Sequence, residues 1–196
     1  MADFSYSQLS LKEFHDDGYS VRALRLEDIL DIKQWRNEQM AVLRQKTVLT
    51  DEDQRRYYRQ VIAPSFEQEY PGLMLFSYFL EGRLIGYGGL TNLDWDHRRA
   101  EISYLVETAR SHEKDAGRYE EDFSHFLRLM KRIAFEELAL NRLFTETFDI
   151  RPLHVSILEK NGFKPEGRLN QHVRLNGSYL DSLVHGCLKE FEHVEG

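Results

Sequence analysis

The sequence predicts an α/β (α+β) fold in which helices cover one mixed sheet. Short apolar runs of the kind found in strands alternate with stretches of helical periodicity. Turn signals such as Glu81-Gly82 and Asn176-Gly177 join neighbouring strands into hairpins. The strongest periodic stretch, residues 123–138, repeats apolar side chains at i, i+3, i+4 and i+7, which predicts a long helix packed on the sheet.

The other elements follow from local patterns. Thr50, with Asp53 three residues later, predicts a helix N-terminus, and Pro64 is expected to end that helix. Asn141 is expected to end the long helix, and Gly162 to stop a shorter one. In chain order we predict an arm or extra edge strand (1–18), a strand (19–26), helices from 27 or 28 and from 50, strands (73–80, 83–93, 100–107), a polar loop (108–118), the long helix, a strand (142–148), a helix (153–160) and strands (163–174, 179–188).

Length and composition exclude several classes of protein. The 196 residues, without a Pro/Gly/Ser-rich linker, predict one domain over 1–196. A net charge of −7, from 26 Lys+Arg against 33 Asp+Glu, disfavours nucleic acid as a partner. The single cysteine, Cys187, excludes an intramolecular disulfide and a multi-cysteine zinc site. No apolar run approaches the ~20 residues of a membrane span and no secretory signal is recognisable, so we expect a cytoplasmic protein without a membrane partner.

Four stretches, in this order, resemble the GNAT superfamily of acetyl-CoA-dependent N-acetyltransferases. They are residues 21–37, 84–107, 134–148 and 158–186, and the last is similar to the closing segment of the ribosomal-protein and amino-sugar N-acetyltransferase branch. The resemblance implies a mostly antiparallel sheet that is splayed between its fourth and fifth strands and admits acetyl-CoA as co-substrate. It implies a primary amine as acceptor, and an amino sugar (including a nucleotide-linked one) is preferred to a protein N-terminus. The acidic charge balance of the chain adds polyamines as a third candidate.

Three side chains are candidates for proton transfer, because the amine must lose a proton before it attacks the thioester. Glu101, in the fourth strand, is the first choice for general base, and a cross-strand salt bridge with Arg98 or Arg99 is the structural alternative. Glu146 is expected between Phe144 and Phe148 on an apolar face of the fifth strand, where burial would raise its pKa toward a useful range, and an edge position that reaches solvent is the alternative. His97, in a hairpin turn, is a candidate because histidine is the residue type suited to proton transfer near neutral pH, and a solvated turn residue is the more common alternative.

The acceptor side is expected to involve the end of the first helix and the third strand. Arg36 is suited to binding a phosphate or a carboxylate with two hydrogen bonds, and Trp35 and Tyr87 would line the pocket. Tyr57 and Tyr58 would extend this aromatic wall. The alternatives are core positions for Trp35 and Tyr87 and a surface position for Arg36. No further metal ligands stand at helpful spacing, so no metal site is expected.

The resemblance implies that the end of the fourth strand, at Leu105, Val106 and Glu107, offers backbone groups to the pantetheine arm. The family's glycine-rich phosphate loop before the long helix is reduced here to Gly117. Acidic residues 120–122 would lie in the first helical turn and repel a pyrophosphate. Cofactor binding would then depend on a set of basic residues, namely Arg110, Lys114, Arg118 and Arg151.

This departure leaves a second hypothesis open. The chain could be a catalytically silent GNAT-like module that binds CoA or a partner, instead of an enzyme that acts on a small amine or an N-terminal peptide. A monomer or a homodimer is expected in either case.

Overall fold

The computed structural model describes residues 5–111 and 115–190. Eight strands form one sheet in the order β1-β2-β3-β4-β5-β6-β8-β7. The strands are β1 Glu13–Asp16, β2 Tyr19–Ala23, β3 Met74–Leu80, β4 Arg83–Asp94, β5 Arg99–Val106, β6 Arg142–Phe148, β7 Lys164–Leu175 and β8 Ser178–Leu188. The helices are α1 Ile29–Glu38, α2 Asp51–Tyr57, α3 Ala63–Ser65, α4 Ala116–Lys131 and α5 Pro152–Lys160.

The predicted mixed, mostly antiparallel sheet with flanking helices is confirmed. Among the described strands only β5 and β6 pair in parallel, while every other neighbouring pair is antiparallel. β1 pairs with β2, so the polar N-terminal region supplies the extra edge strand. Asn176 and Gly177 both adopt positive φ angles, as the two-residue turn between β7 and β8 requires.

A splay between β5 and β6 opens a cleft in the sheet, as the resemblance implied. The two strands pair only from Arg99 with Arg142 to Glu101 with Phe144. Beyond these pairs, β5 stays with β4 up to Val106, and β6 stays with β8. The two strands therefore diverge because each follows its antiparallel partner, and the cleft lies between the segments 102–106 and 145–148.

Helix α4 covers one side of this cleft with an aromatic layer. Tyr104 of β5 stacks on Phe123 with ring centroids 4.5 Å apart, and Phe126 contacts Tyr78 edge-on at 5.2 Å. Gly88 of β4 makes this approach possible, because a Cβ atom there would lie 2.6 Å from Phe126 Cζ and overlap the carbonyl oxygen of Ser103. The glycine therefore marks a close approach of helix and sheet.

The helix after Thr50 has the expected capping box and continues through a π-helical segment, Tyr58–Ile62, into α3, where it ends at Ser65, one residue after the predicted end at Pro64. Both predicted ends of the long helix were wrong. α4 begins at Ala116, earlier than predicted, and a π-helical segment carries it only to Glu137. Among the described residues no helix is long and apolar enough to span a membrane.

Candidate active site

Three contiguous cavities surround the splay. The central cavity, of about 310 Å³, contains the side chains of both diverging strands. The α2 cavity, of about 580 Å³, shares Arg36, Thr91 and Ser103 with it. The α5 cavity, of about 350 Å³, shares Val42, Arg151 and His154 with it. A ligand can therefore enter the central cavity from either side of the sheet.

Two carboxylates converge on one guanidinium in the central cavity. Arg44 Nη2 lies 3.2 Å from Glu101 Oε1 and 3.0 Å from Glu146 Oε2. The side chain of Glu101 is only 11% exposed, whereas that of Arg44 is 52% exposed. The cluster carries two negative charges against one positive charge, and the positive charge is on a side chain that can swing into solvent.

A bulge in β4 positions a second side chain that binds Glu101. The register between β4 and β5 shifts between Thr91 and Asp94, and Asn92 adopts φ 47° within this shift. Its Nδ2 donates a 2.6 Å hydrogen bond to Glu101 Oε2. Sequence reasoning missed both Asn92 and Arg44. Asn92 carries a weak signal, since asparagine tolerates the left-handed conformation, but Arg44 lies in an irregular segment without periodicity.

The predicted surroundings of the two carboxylates were partly wrong. Glu101 pairs with neither Arg98 nor Arg99, because Arg99 binds Asp94 of the preceding turn. Glu146 does not lie on the core face of β6, which is formed by Leu143, Thr145 and Thr147. Instead it shares a face with Phe144 and lies between Arg44 and His172, whose Nε2 is 3.6 Å from Glu146 Oε1.

Two other predicted site residues lie outside the cavities. His97 is exposed in the turn between β4 and β5, where its backbone N–H donates to Asp94, and it lines none of the three cavities. Trp35 is 8% exposed and belongs to the hydrophobic core, as does Tyr58. Trp35 lies in α1 and Tyr58 at the start of the π-helical segment after α2, and both side chains are buried in the core. The core alternative is therefore the correct one for Trp35, and Tyr58 does not extend the aromatic wall.

Arg36 and Tyr87 meet where the α2 cavity joins the central cavity. Arg36 Nη1 donates a 2.5 Å hydrogen bond to the Tyr87 hydroxyl, and its Nε donates to Gln45 Oε1 at 3.0 Å. Both partners are neutral, and no carboxylate among residues 5–111 and 115–190 is paired with this guanidinium. Tyr57, 42% exposed, lines the α2 cavity beside them. The cavity therefore presents an unneutralised positive charge.

The backbone of β5 faces the cleft at alternate residues. The Glu107 N–H donates to the Ile85 carbonyl, so the odd-numbered residues at this end of β5 bond to β4 and the even-numbered residues face the opposite side. β6 pairs with β5 as far as Glu101, so beyond this pair the N–H and C=O groups of Tyr104 face the splay, where β6 does not pair with them. The hydroxyl of Tyr104 is also buried, and it has no hydrogen-bond partner within the described part of the chain. Unpaired backbone groups in a narrow cleft fit the amide-bearing arm of a pantetheine ligand.

This alternation corrects two of the three positions predicted for that role, since only Val106 of the three directs its backbone groups toward the splay. Leu105 and Glu107 direct their backbone toward β4, and the Glu107 N–H donates to Ile85. The Val106 carbonyl faces the cleft, but Gln39 Nε2 already donates to it at 2.8 Å. The side chain of Glu107 pairs with Arg83.

The acidic residues 120–122 do not form a repulsive first turn. The first turn of α4 contains no acidic residue, and Asp122 lies one turn further on, fully buried. Arg110 binds its carboxylate through Nε and Nη2, both at 2.7 Å, and the Tyr19 hydroxyl donates to it at 2.9 Å. The hydrogen bonds to Asp122 raise the pKa of Arg110. Arg110 therefore neutralises a buried carboxylate and is not available to a phosphate.

The other residues proposed for the phosphates are placed differently. Arg118 pairs with Asp115 at the exposed start of α4, next to the exposed Gly117. Arg151 lines both the central and the α5 cavities. Lys114 lies outside the described residues. Of this predicted set, Arg151 is the residue that reaches the central cavity.

A buried tyrosine–histidine pair lies beside Arg151. Arg151 Nη2 donates to the Tyr119 hydroxyl at 2.8 Å, and that oxygen is also 2.8 Å from His154 Nδ1. The His154 ring stacks on Phe123 with centroids 4.2 Å apart. Burial, together with the positive charge of Arg151 and the neighbouring His185, holds the pKa of His154 well below its usual value. Burial also raises the pKa of Tyr119.

Comparison with known proteins identifies the family. The model of the acetyltransferase (GNAT) domain matches residues 21–184. YdaF of Bacillus subtilis (strain 168), named as a ribosomal N-acetyltransferase, is 29% identical over 134 residues, covering 67% of this chain and 69% of its own. Spermidine N-acetyltransferase from Vibrio cholerae, in complex with CoA and spermine, has a TM-score of 0.75 at 20% identity, covering 89% of this chain and 98% of its own. A dodecameric structure of that enzyme has a TM-score of 0.73 at 20% identity, covering 92% and 99%.

The splayed sheet and its cleft define a GNAT-type acyltransferase. The chain belongs to the GNAT acetyltransferase family and is an acetyl-CoA-dependent N-acetyltransferase. The enzyme interpretation is therefore favoured over the silent binding module. Among the described residues, no group of three or more histidine, cysteine, aspartate or glutamate side chains could hold a metal ion.

Proposed function

We propose that this enzyme acetylates a primary amine bound between Glu101 and Glu146, with Glu101 as the general base. The observation that carries the proposal is the convergence of both carboxylates on Arg44. A substrate ammonium group is attracted to this pair and replaces the half-exposed guanidinium. Asn92 holds one oxygen of Glu101 in place, so the other remains directed at the amine.

The residues of this site perform separate parts of the reaction. Bound acetyl-CoA supplies an activated acetyl thioester. Glu101 accepts the proton that the ammonium group must lose, directly or through one water, which leaves a nucleophilic amine. The N–H group of Tyr104 faces the cleft as a hydrogen-bond donor for the cofactor arm or the reacting carbonyl. Glu146 keeps the amine close to Glu101 by charge attraction.

The acceptor we propose is a primary amine that also carries an anionic group, such as an amino sugar phosphate or a nucleotide-linked amino sugar. Arg36 provides the second pole of the site, because its partners, Tyr87 and Gln45, are both neutral. It lines the central cavity together with Glu101 and Glu146. Arginine binds phosphate and carboxylate groups with paired hydrogen bonds. The α2 cavity, with Tyr57 at its wall, has room for the rest of such an acceptor.

Two other acceptors are suggested by the relatives. The name of YdaF points to ribosomal protein, for which a protein N-terminus is the acceptor to test. The Vibrio cholerae enzyme is a spermidine N-acetyltransferase and was crystallised with spermine. A polyamine fits the carboxylate pair, but its additional ammonium groups gain nothing from Arg36. We therefore place it behind an anionic amine.

The test measures thiol release from acetyl-CoA with three acceptor groups: amino sugar phosphates or nucleotides, short peptides with a free N-terminus, and spermidine. We expect the first group to have the highest kcat/KM. Arg36→Met should raise KM about 10–100-fold for these anionic acceptors, because a charge-assisted contact is lost, while KM for neutral amines stays unchanged. Highest kcat/KM with spermidine, or equal effects of Arg36→Met on all acceptors, would contradict the proposed acceptor.

Glu101→Gln tests the base separately from the acceptor. We expect kcat to fall about 100-fold, while the thermal shift produced by acetyl-CoA is retained. Glu52→Gln is the matched control, since Glu52 belongs to an exposed ion pair with Arg59 and lines none of the three cavities. A wild-type rate for Glu101→Gln would remove Glu101 from the base role.

A single domain, a cytoplasmic location, and a monomeric or homodimeric state are part of the same proposal. The solved relative forms a dodecamer. Sedimentation velocity on this chain distinguishes the small assemblies we propose from a dodecamer.

A further inference from the structure

The α5 helix brings a polar side chain to the point where the central and α5 cavities meet. His154 lines both cavities, and Arg151 lines them beside it. Helix α4 contributes Tyr119, which lines the α5 cavity only. The amine and Glu101 belong to the central cavity, so the opposite, α5 side is the free route for the arm that carries the sulfur.

The hydrogen bonds around His154 select one tautomer. The Tyr119 oxygen accepts a hydrogen bond from Arg151, and its proton is then directed to His154 Nδ1. A neutral imidazole that accepts at Nδ1 carries its proton on Nε2. Nε2 has no hydrogen-bond partner among residues 5–111 and 115–190, although the ring is fixed against Phe123. The ring therefore presents an unused N–H donor at the junction of the cavities.

We propose that the Nε2–H group of His154 donates a hydrogen bond to the departing sulfur of CoA and that Tyr119 is the positioning residue that fixes this donor. When the amine nitrogen bonds to the acetyl carbon, the C–S bond breaks and its electron pair leaves on the sulfur. Glu101, which has by then passed the proton of the ammonium group to solvent, accepts the second proton that the nitrogen loses as the amide forms and passes it to solvent as well. The sulfur leaves as a thiolate stabilised by His154 and takes its proton from solvent after release.

A neutral histidine suits this role better than a charged one. The groups that face His154 are Tyr119 from α4, Arg151 from the start of α5 and His185 from β8, and the last two disfavour a second positive charge. The imidazole therefore stays neutral and keeps the same donor over the working pH range. Neutral imidazole acts as a hydrogen-bond donor to developing negative charge in other enzymes.

The pKa of the CoA thiol, measured in the complex, tests the proposal without an acceptor. Ultraviolet absorbance of the thiolate is followed against pH for CoA bound to the wild-type protein. We expect the bound thiol pKa to lie about one to two units lower in the wild type than in His154→Ala, because the hydrogen bond favours the thiolate. His154→Gln, which keeps an N–H donor, should recover part of the shift.

Two further variants complete the test. Tyr119→Phe should lose part of the shift, since Nδ1 is no longer fixed as the acceptor. His185→Gln should retain the full shift, because His185 is equally buried but lines none of the three cavities. In turnover, His154→Ala should lower kcat about 100-fold, the loss typical of one transition-state donor.

The outcomes separate this proposal from the acceptor assignment. If His154→Ala binds CoA, as shown by thermal shift, and leaves the bound thiol pKa unchanged, the proposal is overturned. If His154→Ala does not fold, the same measurement is made on His154→Gln and Tyr119→Phe. If the pKa of the bound thiol in both variants equals that in the wild type, the proposal is overturned. Because only CoA is present, a wrong acceptor cannot produce either result.

Discussion

The buried pair of Arg110 and Asp122 allows a sharp prediction about the helix that borders the cleft. Asp122→Asn preserves the shape of the side chain but removes its charge. The carboxylate is fully buried and the Arg110 side chain is only 12% exposed, so the guanidinium loses its counter-charge in a poorly solvated place. Two hydrogen bonds of 2.7 Å lose their charge-assisted character. Breaking a buried pair in this way costs about 3–5 kcal/mol.

Urea unfolding followed by circular dichroism measures the loss. Asp115→Asn is the matched control, since Asp115 pairs with Arg118 at the same helix but both side chains are 47% exposed. Its expected cost is less than about 0.5 kcal/mol. If Asp122→Asn is too unstable to fold, the double variant Arg110→Met with Asp122→Leu should fold, because an apolar replacement removes both charges together. Equal losses for Asp122→Asn and Asp115→Asn would refute the reasoning.

Two further predictions concern the aromatic layer and the buried histidine. Gly88→Ala should lower the free energy of unfolding by at least ~2 kcal/mol, because the new Cβ overlaps the Ser103 carbonyl. Gly82→Ala is the control: its Cβ meets nothing within 4 Å, so only the strain of its positive φ should lower the stability. Similar urea midpoints for the two variants would contradict this prediction. The pKa of His154 is lowered in the folded state, so its neutral form stabilises the fold above pH ~6.5 and that stability is lost as the pH falls. Between pH 7.5 and 5.5, the wild type should lose up to about 1.4 kcal/mol more than His154→Gln, and parallel pH profiles of the two would sink this prediction.

Most of the sheet was predictable because its signals are local. Apolar runs and the turns at Glu81-Gly82 and Asn176-Gly177 specify the hairpins within a few residues of sequence. The splay and the choice of Glu101 came instead from the family resemblance, and the splay is confirmed. The role of Glu101 stays a prediction, although the structure places it inside the central cavity.

The partners of the site residues were not predictable, because they come from distant parts of the chain. Arg44 reaches Glu101 across 57 positions of sequence, from a segment without regular pattern. Asp122 was interpreted as one of three neighbouring acidic residues, but its actual environment is the guanidinium of Arg110. A charge cluster in the sequence does not show which residues another segment neutralises, and that is why the expected place of Asp122 in an unpaired first helical turn was wrong.

The charges around the cleft, more than its fold, distinguish the acceptors. The solved relatives share the splayed sheet at about 20% identity, and a shared fold does not carry a shared substrate. In the proposal made above, the carboxylate pair attracts any ammonium group and so does not separate a polyamine from an amino sugar. Arg36 separates them, because a second ammonium group within ~4 Å of it would be repelled by about 1–4 kcal/mol, whereas an anion there would be attracted by a similar amount. We therefore expect a difference of several kcal/mol in favour of an acceptor that is positive at one end and negative at the other.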